Sequence, residues 1–479
     1  MEEFSALDSS FSRKIAGFAG IEENIALQKL MKSAREGHLC LPLSKLNEEE
    51  KERIIKNKNI LCDFICIESE KLYLEKNFVT EKIIKDEICR LSFPSGLAAS
   101  AIENFPLLNK EQQEAVQSCL QNRLTFLSGG PGTGKTHTAS AIVSSFDPAK
   151  EKRVVLAAPT GRAADHLQAN IFKKCGVKYP SSTLHKLLKI GSFPPWPKEQ
   201  FALNLDLLIV DEASMIDAPL FATLLKAIPD HCTTVFMGDP NQLSPVGIGN
   251  VFHDLVKSVT MDLKRVALKQ SMRTANQEIL LISNQVLHGE MPAIELHASS
   301  NHPILMTQES SDPEELLNSL SKHRVLNCLR VGSQGVDALN AKALKQTIAN
   351  AQRGKWWWAP IMIGSNDDET GLCNGEIGIY MEKKEKRGSG FAYFSKEQGQ
   401  IPLYALPKFE WSFCSSVHKS QGCEYDEVVI LVPPGSEIFG REMLYTAITR
   451  AKQSVKIVGE KQTLQAMLSK SLAKHSGFV

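Results

Sequence analysis

Several things are missing from this chain, and each absence narrows its function. No apolar run approaches the length needed to span a bilayer. The start, Met1-Glu2-Glu3-Phe4-Ser5, is acidic and lacks the basic-then-apolar pattern of a secretory signal. The eleven cysteines are odd in number and never form C-x-x-C. The closest pair, Cys62 and Cys66, has no pair of histidines nearby to complete a zinc site. They read as reduced thiols of a bacterial-type cytoplasm. Net charge is only +1, so no global attraction to a polyanion operates, and any polyanion site must be a local groove. Low-complexity tracts, short solenoid repeats and an Asn-Lys-x-Asp guanine reader are also missing. What remains is ordinary for a globular protein: 43% hydrophobic and 23% charged residues over 479 positions, a soft prior for about three domains.

Against that background one segment stands out. Gly129-Gly130-Pro131-Gly132-Thr133-Gly134-Lys135-Thr136 fits the phosphate-loop pattern G-x-x-x-x-G-K-[ST]. The apolar run 123–127 before it predicts a buried strand, and 137–144 after it predicts a helix. Glycines at such a junction let backbone N–H groups turn inward around phosphate oxygens, and the helix N-terminus adds partial positive charge. Lys135 can then reach the β- and γ-phosphates, and the Thr136 hydroxyl can ligate Mg²⁺.

Downstream, Leu207-Leu208-Ile209-Val210 reads as a strand buried on both faces, ending in Asp211-Glu212. Ligands of parallel sheets sit at the carboxyl ends of strands. Two carboxylates there need a partner: Asp211 suits Mg²⁺, and Glu212 can accept a proton from an attacking water. An N-cap with a solvated Glu is the bland alternative. The run 233–237 repeats the design, leading into Gly238-Asp239-Pro240-Asn241-Gln242-Leu243, where Gln242 can sense the γ-phosphate, although taken alone it reads better as a buried or turn-forming Gln. Arg450 lies on an amphipathic stretch, 442–452, predicted as one helix; it can reach across a cleft to the γ-phosphate as an arginine finger, where a lone helical Arg more simply makes a surface ion pair and only a family resemblance favours the finger.

These motifs, with His418-Lys419-Ser420-Gln421-Gly422 and Tyr445-Thr446-Ala447-Ile448-Thr449-Arg450, resemble superfamily 1 helicases, and most closely the RecD family, the alpha subunit of exodeoxyribonuclease V. The matching residues run from about 108 to 459. On that resemblance Gln112 falls at the adenine-reading position, Arg273 at a γ-phosphate contact, and Gly422 and Glu424 among the nucleotide-binding residues. Pro159, Thr160, Gly161, Arg162, His185, Ser416, His418 and Lys419 fall on DNA-contacting motifs. Asn366-Asp367 and Asn374-Gly375 match a stretch of the second lobe. Ser416 stands where the family usually has Thr, Cys423 where Ser is common. The segment between His185 and Asp211 is short where relatives carry an insertion that helps split the duplex.

The expected fold is α/β: two RecA-like parallel-sheet lobes, a small barrel-like β insertion in the second, and a small α+β N-terminal domain. Boundaries are expected at 1–100, 101–265 and 266–479, with the insertion at about 375–411. Second-lobe strands are expected near 325–329, 360–363, 428–432 and 455–458. Residues 1–100 hold 15 Lys+Arg and 17 Asp+Glu, leaving 40 and 37 for the rest. That acidic balance and the absence of nucleotide motifs predict a separate docking unit whose removal leaves the motor complete. Leu39, Leu41, Tyr73 and Leu74 are its candidate anchors, or else core. The run 382–387 reads as a hairpin tip rather than a DNA patch. Trp356-Trp357-Trp358 admits core packing or base stacking, with at most two rings on one face.

The resemblance implies an ATP- and Mg²⁺-dependent 5′-to-3′ helicase acting on single-stranded and end-containing double-stranded DNA. It also implies RecB-like and RecC-like partners in a heterotrimer that processes double-strand breaks. No nuclease-like carboxylate and lysine cluster is found, so cutting falls to a partner. The alternatives are a stand-alone RecD-like helicase and a nucleotide-dependent binding module.

Overall fold

The computed structural model describes residues 4–95, 108–147, 151–191, 202–270, 277–292, 296–297, 312–352, 355–367, 369–383, 388–395 and 398–479. The first lobe is built on a six-stranded parallel sheet. Its strands lie in the order Ser181–Thr183, Val154–Ala158, Leu207–Val210, Thr233–Gly238, Leu124–Gly129, Lys264–Leu268. The last of these completes the sheet slightly beyond the expected boundary at 265. Three of the four inner strands, Leu207–Val210, Thr233–Gly238 and Leu124–Gly129, are buried along their whole length. Helices cover both faces, so every side chain of these strands meets core. All three end on the same edge, where the chain runs directly into the phosphate loop, Asp211-Glu212 and Asp239.

The second lobe repeats the plan with Leu296–His297, Ala451–Gly459, Tyr425–Val432, His323–Asn327 and Ser415–Ser416, all parallel. The strand expected near 360–363 is not among them. It is the end of Trp356–Ile363, which pairs antiparallel with Ile377–Lys383 in a separate five-stranded sheet with Phe391–Tyr393, Gln400–Pro402 and Phe409–Trp411. The insertion therefore begins at about 356, not 375. An apolar run does not say which sheet it joins. A neighbour reached through the loop 364–376, with Gly375 at φ +85°, pairs without the crossover connection that a parallel strand requires.

The three tryptophans alternate as the pleat demands. Trp357 is buried with its ring 5.5 Å from Tyr380. Trp358 packs on the opposite side with Leu316, Leu320 and Met381. Trp356 is half exposed, edge-on to Phe391, with Lys383 Nζ 5.3 Å from its ring centroid. Of the run 382–387, Glu382 and Lys383 end the strand and 384–387 lie outside the described residues.

At the amino end, helices Ala6–Ala19, Ile25–Arg35 and Glu48–Lys56 surround a three-stranded sheet of Cys40–Pro42, Lys71–Leu74 and Ile65–Glu68. Capping boxes at Ser5/Asp8 and Asn47/Glu50 start two of the helices. Leu27, Leu30, Leu41, Ile54, Leu61 and Leu72 form a core of their own. The next helix, Glu75–Leu91, does not stay with that core. Its Ile84, Ile88 and Leu91, together with Leu39, join the first-lobe cluster around Phe221, Leu224 and Leu225. Arg90 donates to the carbonyls of Leu225 and Ile228 at 3.0 and 2.9 Å and pairs with Asp230.

The first hundred residues are thus joined to the first lobe through shared core. The candidate anchors Leu39, Leu41, Tyr73 and Leu74 are all buried, so they pack the fold rather than wait for a partner. A chain starting at residue 101 is expected to lose several kcal/mol, at about 1.5–3 kcal/mol per large apolar side chain deprived of its cover. That approaches the whole stability of a domain. Circular-dichroism melts of the truncated and full chains check this; equal midpoints would refute the shared core. All eleven cysteines are free, and among the described residues no helix is long and apolar enough to cross a membrane.

Candidate nucleotide site and nucleic-acid groove

The phosphate loop runs from strand Leu124–Gly129 into helix Lys135–Phe146. Gly132 and Gly134 have φ +72° and +84°, the left-handed region that L side chains avoid. A Cβ on Gly134 would collide with Gln112. Lys135 Nζ donates to the carbonyls of Gly129 and Gly130 at 2.6 and 3.1 Å, folded onto its own loop. Pro131 and Gly132 form the loop's outer turn, and the Thr133 hydroxyl donates to Gly130 O at 2.9 Å. Thr136 sits in the first turn of the helix, half-buried.

Gln112 lies fully buried beside this loop. Its Oε1 accepts from Asn109 N in a capping box, and its Nε2 donates to Thr133 O at 3.1 Å. The residue assigned to adenine thus both starts its helix and steadies the phosphate loop.

Asp211 and Glu212 follow the buried strand Leu207–Val210 as expected. Asp211 Oδ1 accepts from Glu212 N at 2.9 Å. Glu212 adopts φ +51°, ψ +40°, a left-handed backbone that costs on the order of 1–3 kcal/mol for such a residue and persists only where the surroundings enforce it. Burial raises the pKa of both carboxyls, opposed at Asp211 by Lys135 and at Glu212 mainly by Arg450. Each acidic group therefore faces a cation, one from each lobe.

Arg450 is buried, but not on a helix as the sequence predicted. The helix ends at Ile448, and Arg450 occupies the turn before strand Ala451–Gly459. Its Nε donates to Thr446 O and its Nη1 to Cys423 O, both at 3.2 Å. A 3.6-residue periodicity continues through a C-terminal turn without a break, so residue pattern alone does not mark the helix end. Gln242 is buried with Oε1 lacking a protein partner. Gly422, at φ +74°, brings the second lobe against Ala163 and Thr160. Glu424 faces Asp211 and lies 3.8 Å from Lys452. Arg273 lies outside the described residues.

Two residues here belong to the motif at 445–450, but the sequence assigns them no role. Tyr445 donates from its hydroxyl to Asp239 Oδ2 at 2.8 Å, and Thr446 Oγ1 accepts from Leu243 N at 2.8 Å. Both tie the second-lobe helix to the loop holding Gln242. Only the three-dimensional approach of the lobes reveals them.

The site fits a nucleoside triphosphate with Mg²⁺. The Thr136 hydroxyl and Asp211 carboxylate are hard oxygen donors of the kind Mg²⁺ shares with phosphates. Among the described residues no group of three or more His, Cys, Asp or Glu forms a cage that would hold a metal alone. Gln242 Oε1 is an orphaned buried acceptor, and such groups are rare without a ligand or water to satisfy them.

A cavity of about 440 Å³ lies between the lobes. Pro159, Thr160, Gly161, Arg162, Thr183 and His185 line one side; Asn366, Asn374, Gly375, His418, Lys419, Gln421 and Cys423 line the other. Seven of the eight residues assigned to DNA meet here. Ser416 does not; it is buried in a strand beside Asn327. Arg162 Nη1 donates to Gly375 O at 3.3 Å, and Lys419 Nζ pairs with Glu410 Oε1 at 2.7 Å. Gln421 Nε2 is buried without a partner. Arg324, which the sequence did not single out, is buried behind Ser412 and Ser415, with Nε and Nη1 unpaired.

Two families match the chain: the AAA domain over residues 107–305, and the UvrD-like helicase C-terminal domain over 412–458. The RecBCD enzyme subunit RecD of Mycolicibacterium smegmatis is 29% identical over 458 residues, covering 85% of this chain and 81% of that protein. The protein of the same name from Buchnera aphidicola subsp. Acyrthosiphon pisum is 26% identical, covering 86% and 83%. The ATP-dependent RecD2 DNA helicase of Deinococcus radiodurans is 28% identical over 72% of this chain and 48% of its own length. The chain thus has the architecture of a superfamily 1 helicase, an AAA ATPase domain with a UvrD-like C-terminal domain, and is related to RecD-family helicases at modest identity.

Proposed function

We propose that this protein is an ATP-driven 5′-to-3′ DNA translocase and helicase of the RecD type, working as a subunit of a RecBCD-like helicase–nuclease in double-strand break repair and recombination. One observation carries the motor reading. The acidic pair Asp211-Glu212 faces Lys135 from its own lobe and Arg450 from the other, so the site is complete only when the lobes meet.

In this reading Lys135 and the glycine-lined loop, Gly129 to Gly134, hold the phosphates, and Thr136 and Asp211 hold Mg²⁺. The bound ion would neutralise developing charge on the phosphoryl oxygens. Glu212, its pKa raised by burial, takes the proton of the attacking water. Gln242 Oε1 orients that water. Arg450, and Arg273 by resemblance, stabilise charge on the transferred group. Gln112, Gly422 and Glu424 complete the nucleotide pocket. Closing the lobes changes the cavity lined by Arg162, His185, His418 and Lys419, where single-stranded DNA is gripped and advanced; Ser416 supports that wall from beneath.

RecB-like and RecC-like partners are part of the proposal. The relatives named as RecBCD subunits align over most of their length. On the N-terminal domain Phe18 is 80% exposed and stacked on Phe64, the kind of apolar anchor that partner surfaces use. Unwinding of substrates with a 5′ tail, a 3′ tail or no tail, with and without co-expressed partners, tests the whole reading. Unwinding from 5′ tails alone, and from blunt ends only with partners, is expected. Preference for 3′ tails would refute the polarity. Full blunt-end activity without partners would favour a stand-alone helicase, and nucleotide binding without hydrolysis a binding module.

A further inference from the structure

The last helix of the second lobe, Lys461–Leu468, is followed by a tail that returns to the first lobe. Its end is firmly held. Leu39 N donates to His475 O and His475 N to His38 Nδ1, both at 2.9 Å. Ser476 Oγ donates to Asp254 Oδ2 at 2.7 Å, and Gly477 N to Glu81 Oε2 at 2.8 Å. Phe478 is buried in the first-lobe core.

Within this tail Lys474 is different. Its Nζ donates to Pro245 O and Gly247 O at 2.7 Å and lies 3.5 Å from Gly249 O. Gly37 leaves room for it; a Cβ there would come within 2.7 Å of Nζ. Burial pushes the Lys474 pKa down to about 8, with Asp217 and Asp254 opposing. An ammonium buried on carbonyls is a costly way to fasten a tail, and Phe478 already fastens it by apolar burial. The ammonium does something an apolar anchor cannot: it fixes the direction of backbone carbonyls.

Those carbonyls belong to the continuation of the Gln242 segment. Residues 243–249 include Gly247 and Gly249, which leave the backbone soft. At its start the segment is tied to the second lobe by Thr446 and, through Asp239, by Tyr445. At its far end Gly249 N donates to Gly37 O and Ala218 N to Ile248 O, both at 2.8 Å. Lys474 clamps the stretch between.

Resting on the ATPase reading above, we propose that Lys474 is a positioning residue for hydrolysis: by gathering the carbonyls of Pro245, Gly247 and Gly249 it holds the loop that sets Gln242 against the reacting water. Gln242 acts on the transition state more than on bound ATP, so loss of the clamp lowers turnover and spares affinity. Misplacement of a catalytic group by about 1 Å costs up to about 10² in rate.

The test is steady-state ATP hydrolysis with single-stranded DNA by full-length wild type, Lys474→Met and Ser476→Ala, alongside thermal melts. Lys474→Met is expected to lower kcat about tenfold with KM for ATP within about twofold. Ser476→Ala, which loosens the same tail at another anchor, is expected to keep wild-type kcat. Unchanged kcat in Lys474→Met overturns the proposal. So does a raised KM at unchanged kcat, or an equal loss in Ser476→Ala, which would make the tail a mere tether. Should Lys474→Met fail to fold, Lys474→Gln, which keeps N–H donors without the charge, is read by the same criteria. Wild-type hydrolysis is measured first: its absence overturns the ATPase reading itself, whereas hydrolysis undiminished in the variant overturns only the role of Lys474.

Discussion

Arg450→Ala is expected to lower the maximal rate of DNA-stimulated ATP hydrolysis by about 10³–10⁵ while the KM for ATP changes little. At 1.36 kcal/mol per decade that is about 4–7 kcal/mol of transition-state stabilisation. The guanidinium is held by the carbonyls of Thr446 and Cys423, so it is positioned before nucleotide arrives and need not reorganise during reaction. It is also the largest influence opposing the rise in the Glu212 pKa. Removing it raises that pKa further. A base must be deprotonated to work, so the acid limb of the pH–rate profile should move to higher pH in the variant. Rapid-quench hydrolysis across pH, with a melting curve to confirm folding, checks both effects. An unchanged maximal rate with a higher ATP requirement would instead mark Arg450 as a ground-state binding group.

Lys135→Gln is expected to reduce hydrolysis to background. The ammonium now rests on the carbonyls of Gly129 and Gly130, a partnership that phosphate oxygens would replace. Glutamine carries no charge to offset the transferred phosphoryl group. Lys135 is also the principal group holding down the Asp211 pKa, so its loss favours protonation of the proposed Mg²⁺ ligand. Binding of single-stranded DNA without nucleotide should survive, because the cavity between Arg162, His185 and His418 is built from other residues. Anisotropy with a labelled oligonucleotide and a phosphate-release assay separate the two. Near-normal hydrolysis would overturn the phosphate-loop assignment.

Much of the site was legible because its chemistry depends on local backbone. The phosphate loop needs glycines at positive φ beside a Lys and a Thr, and that demand is written in consecutive residues. Asp211-Glu212 is legible for a similar reason: a four-residue apolar run predicts a buried strand, and carboxylates at its end predict the ligand edge. Only the fold revealed the left-handed backbone of Glu212, which no residue type announces.

Local residue order carries the elements and their chemistry: two sets of apolar strands, a phosphate loop, paired carboxylates, cations at motif positions, and a small α+β start. Period and residue type carry that information within a few turns of chain. Tertiary structure decided what long-range packing alone can decide. It moved Trp356–Ile363 into the antiparallel sheet, because the hairpin partner across Gly375 is close in sequence. It merged helix Glu75–Leu91 with the first lobe, because Ile84, Ile88 and Leu91 find their cover on Phe221 and Leu225. It placed Arg450 in a turn opposite Glu212 and brought Tyr445 and Thr446 to the Gln242 loop. It returned Lys474 from the far end of the chain to the same loop. Apart from that hairpin, each of these is a contact between residues distant in sequence, and periodicity within one segment carries no record of which other segment will cover it.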